Sequence, residues 1–230
     1  MFKVKIIMLV VTMDIGKALS ISAIILSLIA VIVSSLTLTI YQQKPVQQTT
    51  SSFMTFLNLS PNTNFTINEN DLMYLMNFKP IYAEVFPENN TIRFTHDKIV
   101  IVVVAEPELG EEYEDRYVIF GLINPTLIVP VNASVTVIFI NGGESEFHSF
   151  AIISTPPPYP ENMESSEYNK IVFDGATTPN PLHGIQFEKP SGIYHGFVIQ
   201  FTASRTGTYY YVCLVDGHAH DGMFGEFIVK

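Results

Sequence analysis

Nine short runs of β-forming residues between Thr91 and Val229 constrain the fold of this chain most strongly. The runs are rich in Val, Ile, Phe and Tyr, and clusters of Pro, Gly and Asn separate them. No long helical period interrupts them, so the pattern favours an antiparallel sandwich over a sheet with alternating helices. The predicted strands lie near 91–95, 98–105, 117–120, 126–129, 134–140, 147–153, 193–202, 207–213 and 224–229.

The remaining segments of the predicted domain are less regular. Residues 53–90 are predicted to form an N-terminal extension of a core that covers 91–230, and Asn68 begins a sequence typical of a short capped helix. The segment 154–192 contains six prolines before Phe187 and is predicted to wrap the sandwich as an extended loop. The acidic stretch 110–116 is interpreted as a solvated turn.

An uncharged apolar span from Ala18 to Tyr41 precedes the domain and is long enough to cross a bilayer as a helix. A cleavable signal peptide is the alternative, but its apolar region would be shorter, and no small-residue cleavage pattern follows directly. The sequence therefore predicts one transmembrane helix ahead of the β-domain. The predicted organisation is a cytoplasmic N-terminus at 1–17, an anchor at 18–41, a polar linker at 42–52 and a domain at 53–230.

The distribution of charge predicts orientation and excludes one class of partner. Lys3, Lys5 and Lys17 precede the span and only Lys44 closely follows it, so the N-terminus is expected in the cytoplasm and the domain on the extracytoplasmic face of the cell membrane. After Lys44 the chain carries 8 Lys and Arg against 21 Asp and Glu, a balance of −13. Nucleic acid would be repelled by such a domain.

The C-terminal predicted strand ends in the chain's single cysteine, Cys213, with His218 and Met223 following at intervals of five residues. A loop after the strand can return both side chains to the cysteine, and His148, beyond a Gly-rich turn, is the best candidate for a fourth ligand. Two imidazoles, a thiolate and a weak thioether describe a mononuclear blue-copper site. This pattern predicts copper bound by His148, Cys213, His218 and Met223.

These residues also allow other interpretations. A lone Cys, Met or His in a β-core is commonly structural, and only their joint spacing favours a metal. Zinc sites rarely recruit a thioether. A binuclear copper centre needs two cysteines, and a multicopper enzyme needs further histidine clusters, whereas the one His-x-His here is His218-Ala-His220. The chain is therefore predicted not to be an enzyme.

Several segments resemble the rusticyanins, which are members of the cupredoxin (blue copper) family. The resemblance implies a cupredoxin-like Greek-key β-sandwich of the all-β class and one type 1 copper ion held by the same four ligands. Ser149 also matches. The segments are Asn124–Leu127, Val135–Asn141, His148–Phe150, Gly207–Cys213, Gly217–Ala219 and Gly222–Gly225.

By this resemblance the chain is a carrier of single electrons in a respiratory chain, in an acidophile, with a membrane anchor as in the sulfocyanins. Its expected redox partners are a cytochrome or a membrane terminal oxidase. His218 is the expected electron port, and Phe147, Phe150 and Phe224 are expected to keep water from the copper. The alternative is an extracytoplasmic copper-binding or storage protein without redox turnover.

Overall fold

The computed structural model describes residues 59–143, 145–163, 170–185 and 192–230. The predicted cytoplasmic N-terminus, the anchor at 18–41 and the linker at 42–52 lie outside the described residues. Within the described ranges, no helix has the length and apolar character needed to span a membrane.

The described chain is built mainly from short strands, with two α-helices among the described residues. The strands are β1 (Asn64–Asn68), β2 (Ala83–Phe86), β3 (Thr91–Phe94), β4 (Lys98–Ala105), β5 (Tyr117–Ile119), β6 (Leu122–Ile123), β7 (Thr126–Val129), β8 (Ser134–Asn141), β9 (Ala151–Ile153), β10 (Ile193–Thr202), β11 (Gly207–Val212) and β12 (Phe224–Val229). The helices are α1 (Glu69–Asn77) and α2 (His218–Asp221).

The strands of the described residues form two six-stranded sheets. The first sheet has the order β1-β10-β8-β4-β5-β6 and the second has the order β2-β3-β7-β12-β11-β9. Buried residues of both sheets, such as Phe139 in β8 and Phe227 in β12, belong to one hydrophobic cluster. The predicted β-sandwich is confirmed.

The expectation that the sandwich is antiparallel is wrong in part. The pairs β4–β8, β3–β7 and β7–β12 are parallel. Parallel partners need crossover connections, and here the chain crosses to the other sheet between β4 and β8. Alternation within a strand records which face is buried and contains no information about the direction of the neighbouring strand.

The described residues before 91 contribute two strands to the sandwich. Strand β1 pairs with β10 along its whole length, and β2 pairs with β3. The predicted helix is confirmed as α1, where the Asn68 side chain accepts a hydrogen bond from the backbone N–H of Asp71 at 3.0 Å. Because α1 packs on β4 and β10, both faces of β4 are buried from Ile99 onward, which explains its unbroken apolar sequence.

The predicted strand 147–153 begins only at Ala151, because the preceding residues use their backbone groups elsewhere. His148 forms an isolated bridge with Ile185, and the Phe150 N–H donates to Thr178 Oγ1. Described parts of the proline-rich segment thus lie against β9 and the residues before it, in agreement with the predicted wrapping loop.

Candidate metal centre

Cys213 directly follows β11, at the inner end of the strand. Tyr211 precedes it on the same face, is fully buried, and donates a hydrogen bond from its hydroxyl to the Pro125 carbonyl at 2.6 Å. Cys213 is also completely buried and is not in a disulfide. The position of the thiol is therefore fixed by a strand that is anchored in the core.

The loop after Cys213 turns back over the thiol because two glycines adopt positive φ. Gly217 (φ 88°) precedes α2 and Gly222 (φ 117°) ends it, and this left-handed region is open to glycine at little steric cost. The Cys213 N–H donates to the Met223 carbonyl at 3.1 Å, and the Met223 N–H donates to the His218 carbonyl at 2.8 Å. These bonds hold the three backbones together.

His148 approaches the same point from the residues before β9. Its Nδ1 lies 3.0 Å from His218 Nδ1, which in turn lies 3.5 Å from Cys213 Sγ. The ligand atoms of His148, Cys213 and His218 all lie within 4.8 Å of one another, and all three residues are buried. Met223 is fully buried in the same cluster as Cys213. The structure thus brings His148, Cys213 and His218 together, and it places Met223 in the buried cluster that contains Cys213.

Ser149 contacts the Cys213 sulfur through both its backbone and its side chain. Its N–H donates to Cys213 Sγ at 3.3 Å, and its Oγ lies 3.6 Å from the same sulfur. The Ser149 Oγ also accepts a hydrogen bond from the Leu214 N–H at 2.8 Å. Because hydrogen bonds to a sulfur favour its anionic form, this arrangement supports a thiolate.

The close packing of Cys213, His148 and His218 shifts their pKa values. Burial raises the pKa of the Cys213 thiol, but hydrogen bonds to His148 and His218 outweigh burial and lower that pKa to about 6. Burial lowers the pKa of His148, whereas its contacts with Cys213 and Glu106 bring the pKa to about 9. The pKa of His218 is also raised, despite burial, chiefly by its hydrogen bond to Cys213. These shifts favour a thiolate beside protonated imidazole in the metal-free site.

Three carboxylates surround the two histidines, and sequence reasoning missed all of them. Glu106 Oε2 contacts Nε2 of His148. Glu146 Oε2 lies 3.2 Å from Nε2 of His218, and Asp115 Oδ1 lies 3.4 Å from its Nδ1. The interpretation of 110–116 as a merely solvated turn is therefore wrong for Asp115, whose pKa is raised by burial. For Glu106 the sequence contained a signal, because this charged residue directly follows the apolar run at 99–105.

The aromatic surroundings agree in part with expectation. Phe150 is buried and packs between Tyr117 and Tyr211, with ring centroids 5.9 and 5.8 Å away. Phe224 is half-buried. Phe147 is 43% exposed, so its role in keeping water from the site stays a prediction. Its neighbour in sequence, His148, points inward while Phe147 faces solvent.

The other histidine of the loop is not part of the cluster. His220 is exposed, and its Nδ1 lies 2.8 Å from Asp221 Oδ1. His218 is itself only 8% exposed, so less of its ring reaches the solvent than its expected role as the electron port suggested.

The donor set fits a type 1 copper ion. Two imidazole Nδ1 atoms and one sulfur face one buried point, and a buried methionine is attached to both the cysteine and the second histidine through backbone hydrogen bonds. Soft sulfur suits Cu(I), and imidazole suits both oxidation states.

The family model of the sulfocyanin (SoxE) domain matches residues 90–230. The chain belongs to the sulfocyanin family. The chain is also 42% identical over 107 residues to rusticyanin of Acidithiobacillus ferridurans, a match that covers 46% of this chain and 51% of that protein. A rusticyanin of Acidithiobacillus ferrooxidans is 41% identical over the same length. The matched part spans about half the length of the first of these relatives.

Solved structures agree with this family assignment. Rusticyanin from Thiobacillus ferrooxidans superposes with a TM-score of 0.58 at 28% identity and covers 75% of this chain and 100% of its own. Reduced rusticyanin superposes with a TM-score of 0.57 at 27% identity, covering 74% and 98%. The sulfocyanin domain therefore has a cupredoxin-like fold, and the cofactor of this family is one type 1 copper ion, which the cluster of His148, Cys213 and His218 fits.

Proposed function

We propose that this chain is a membrane-anchored type 1 copper protein that carries single electrons in a respiratory chain, with His148, Cys213, His218 and Met223 as the copper ligands. The observation that carries the proposal is the convergence of two imidazole Nδ1 atoms and one thiol sulfur at a single buried point. When bound, the copper supplies one-electron redox chemistry between Cu(I) and Cu(II).

The role of the protein is to hold the copper's donor atoms in one fixed arrangement. Cys213 is fixed by β11 and by the Ser149 N–H, and the returning loop is closed by backbone bonds from Cys213 to Met223 and from Met223 to His218. A site already held in one arrangement changes little between oxidation states, which keeps the reorganisation energy of electron transfer low. The backbone bonds around the thiol therefore support a carrier.

His218 is the proposed route for the electron. It is the ligand at the surface end of the loop and is 8% exposed, whereas His148, Cys213 and Met223 are fully buried. Glu146 beside it is half-exposed, and the domain is strongly acidic. A positively charged docking face on a cytochrome or a membrane terminal oxidase would complement this surface.

The membrane anchor is proposed from the sequence alone. The uncharged span at 18–41 and the preceding lysines support a single-pass protein of the cell membrane with 53–230 on the extracytoplasmic face. Such an anchor would restrict the carrier to two-dimensional diffusion beside its membrane partners.

Voltammetry of the copper-loaded full chain in detergent tests the electron-carrier function. We expect a reversible one-electron wave that persists over repeated cycles with the copper retained. A storage protein without redox turnover would instead release copper on reduction or give an irreversible wave. Cys213→Ser is the control, because it should abolish the wave of the native site.

A further inference from the structure

The end of β4 is shaped to direct one carboxylate at a buried imidazole. Glu106 follows the last residue of β4 and has φ 45°, in the left-handed region that a residue with a side chain rarely adopts. Its N–H donates to the Arg116 carbonyl at 2.8 Å, and the carbonyl of Ala105 accepts from the Gly142 N–H at 2.8 Å. The peptide groups on this turn are thus fixed from two sides, and an unusual backbone conformation coincides with a contact to the site.

The facing loop leaves room for that carboxylate. A Cβ on Gly143 would lie 3.0 Å from Glu106 Oε2 and 3.2 Å from His148 Nε2, tighter than ordinary contacts. The Gly143 N–H donates to Asn141 Oδ1 at 3.0 Å, and the buried Asn141 donates to the Glu146 and Ile185 carbonyls. The glycine is therefore held in place opposite the contact between Glu106 and His148.

The buried ring nitrogen depends on this contact. His148 is 0% exposed, and its Nδ1 faces His218 while its Nε2 faces Glu106. A buried N–H without an acceptor is strongly unfavourable, and Glu106 is the acceptor that the structure provides at Nε2. When copper replaces any proton on Nδ1 and the other proton is held on Nε2, the lone pair of Nδ1 is directed at the point shared with Cys213.

We propose that Glu106 is a positioning residue of the copper centre, which accepts the Nε2 proton of His148, fixes the ring and its Nδ1 lone pair, and biases the site towards Cu(II). The bias follows because a partly buried carboxylate at the far side of a ligand stabilises the more positive metal state. This inference rests on the proposed copper site.

The experiment compares Glu106→Leu, Glu106→Gln and the wild-type full chain, each loaded with copper. Leu removes the acceptor, Gln retains a carbonyl acceptor without the charge, and Glu88→Gln on an exposed turn removes the same charge away from β4. For Glu106→Leu we expect about 10- to 100-fold weaker Cu(II) binding. We also expect a raised reduction potential, since each tenfold loss of preference for Cu(II) corresponds to about 59 mV. Glu106→Gln should recover most of the affinity but keep part of the rise in potential, and Glu88→Gln should match wild type.

Two further measurements separate a positioning role from a structural one. In the diamagnetic reduced protein, the Nε2 proton of His148 should exchange slowly in wild type and Glu106→Gln, and quickly in Glu106→Leu. Gly143→Ala should change the reduction potential and the exchange rate of the Nε2 proton in the same direction as Glu106→Leu does. It tests the contact even if the Glu106→Leu variant does not fold.

The outcomes distinguish the two proposals. Unchanged potential, affinity and proton exchange in Glu106→Leu would overturn the role of Glu106 while the blue wild type upholds the copper site. A change confined to thermal stability would also overturn it. A wild-type chain that binds no copper would instead refute the function on which this inference rests.

Discussion

The fold changes the acidity of the Cys213 thiol. Its pKa in the folded protein is about 6, below the ordinary 9.0 of a thiol, because His148 and His218 outweigh burial. A lowered pKa means that the thiolate is favoured by folding, so this contribution to stability is fully present above pH 9.0 and is lost as pH falls through about 6.

Titration of the metal-free chain under reducing conditions measures this shift. We expect the ultraviolet absorbance of the thiolate to disappear with a midpoint near pH 6 in the folded protein, and near pH 9 in urea, where the histidines no longer contact the sulfur. Equal midpoints in the two conditions would show that the folded site does not stabilise the thiolate.

Met223 tests the axial position. Met223→Leu keeps volume and apolarity but removes the thioether, so the protein should stay blue while its potential rises, by about 59 mV for each tenfold loss of preference for Cu(II). Met223→Gln should lower the potential, because an amide oxygen is a harder donor that favours Cu(II). If Met223 only packs beside Phe224, voltammetry at one fixed pH will find both potentials unchanged.

At the scale of residues, the sequence allowed prediction of the cluster but not of its surroundings. Cys213, His218 and Met223 were recognisable because a soft donor set recurs at short spacing within one loop. Glu106 was not, because its contact with His148 depends on a left-handed turn after β4 and on a glycine in another loop. Neither feature has a periodicity that a single sequence displays.

At the scale of elements, one small residue in β12 leaves room for a large side chain of β11. Gly225 pairs with Tyr211 across the two strands, and a Cβ at this position would lie 2.2 Å from the Tyr211 hydroxyl oxygen. That hydroxyl donates to the Pro125 carbonyl and cannot move away without leaving it unpaired. The glycine therefore allows the tyrosine that precedes the copper loop to remain anchored.

Gly225→Ala should lower the free energy of unfolding by about 1–3 kcal/mol, which is the usual effect of overpacking a core. Urea denaturation of the metal-free domain measures it. Glu226→Ala, at the next and exposed position of β12, is the matched control and should change stability far less. Similar losses in the two variants would contradict the packing argument.

The elements also show that a strand's sequence pattern predicts its position but not its pairing partner. β4, β8, β10 and β12 were predictable because short apolar runs ended at turn residues. The parallel pairs β4–β8 and β7–β12 were not, because pairing depends on contacts between residues far apart in sequence. The predicted strand before Ala151 was lost because His148 and Phe150 direct their backbone groups to Ile185 and Thr178.

At the scale of the whole molecule, the lysines before the 18–41 span predict the side of the membrane on which the domain lies. Protease added to intact cells should digest residues 53–230, and the undigested protein should sediment with membranes. Digestion only in inverted vesicles would reverse the proposed orientation, and recovery in the soluble fraction would refute the anchor. A cytoplasmic marker protein should remain intact throughout as the control.

The visible absorption spectrum of the copper-loaded full chain tests the central claim most directly. Charge transfer from the Cys213 thiolate to Cu(II) should give an intense blue band in the wild type, which disappears on reduction and returns on reoxidation. Cys213→Ser should lack the band even where His148 and His218 still hold copper weakly. A wild type without the band, or a serine variant that keeps it, would contradict the proposed copper site.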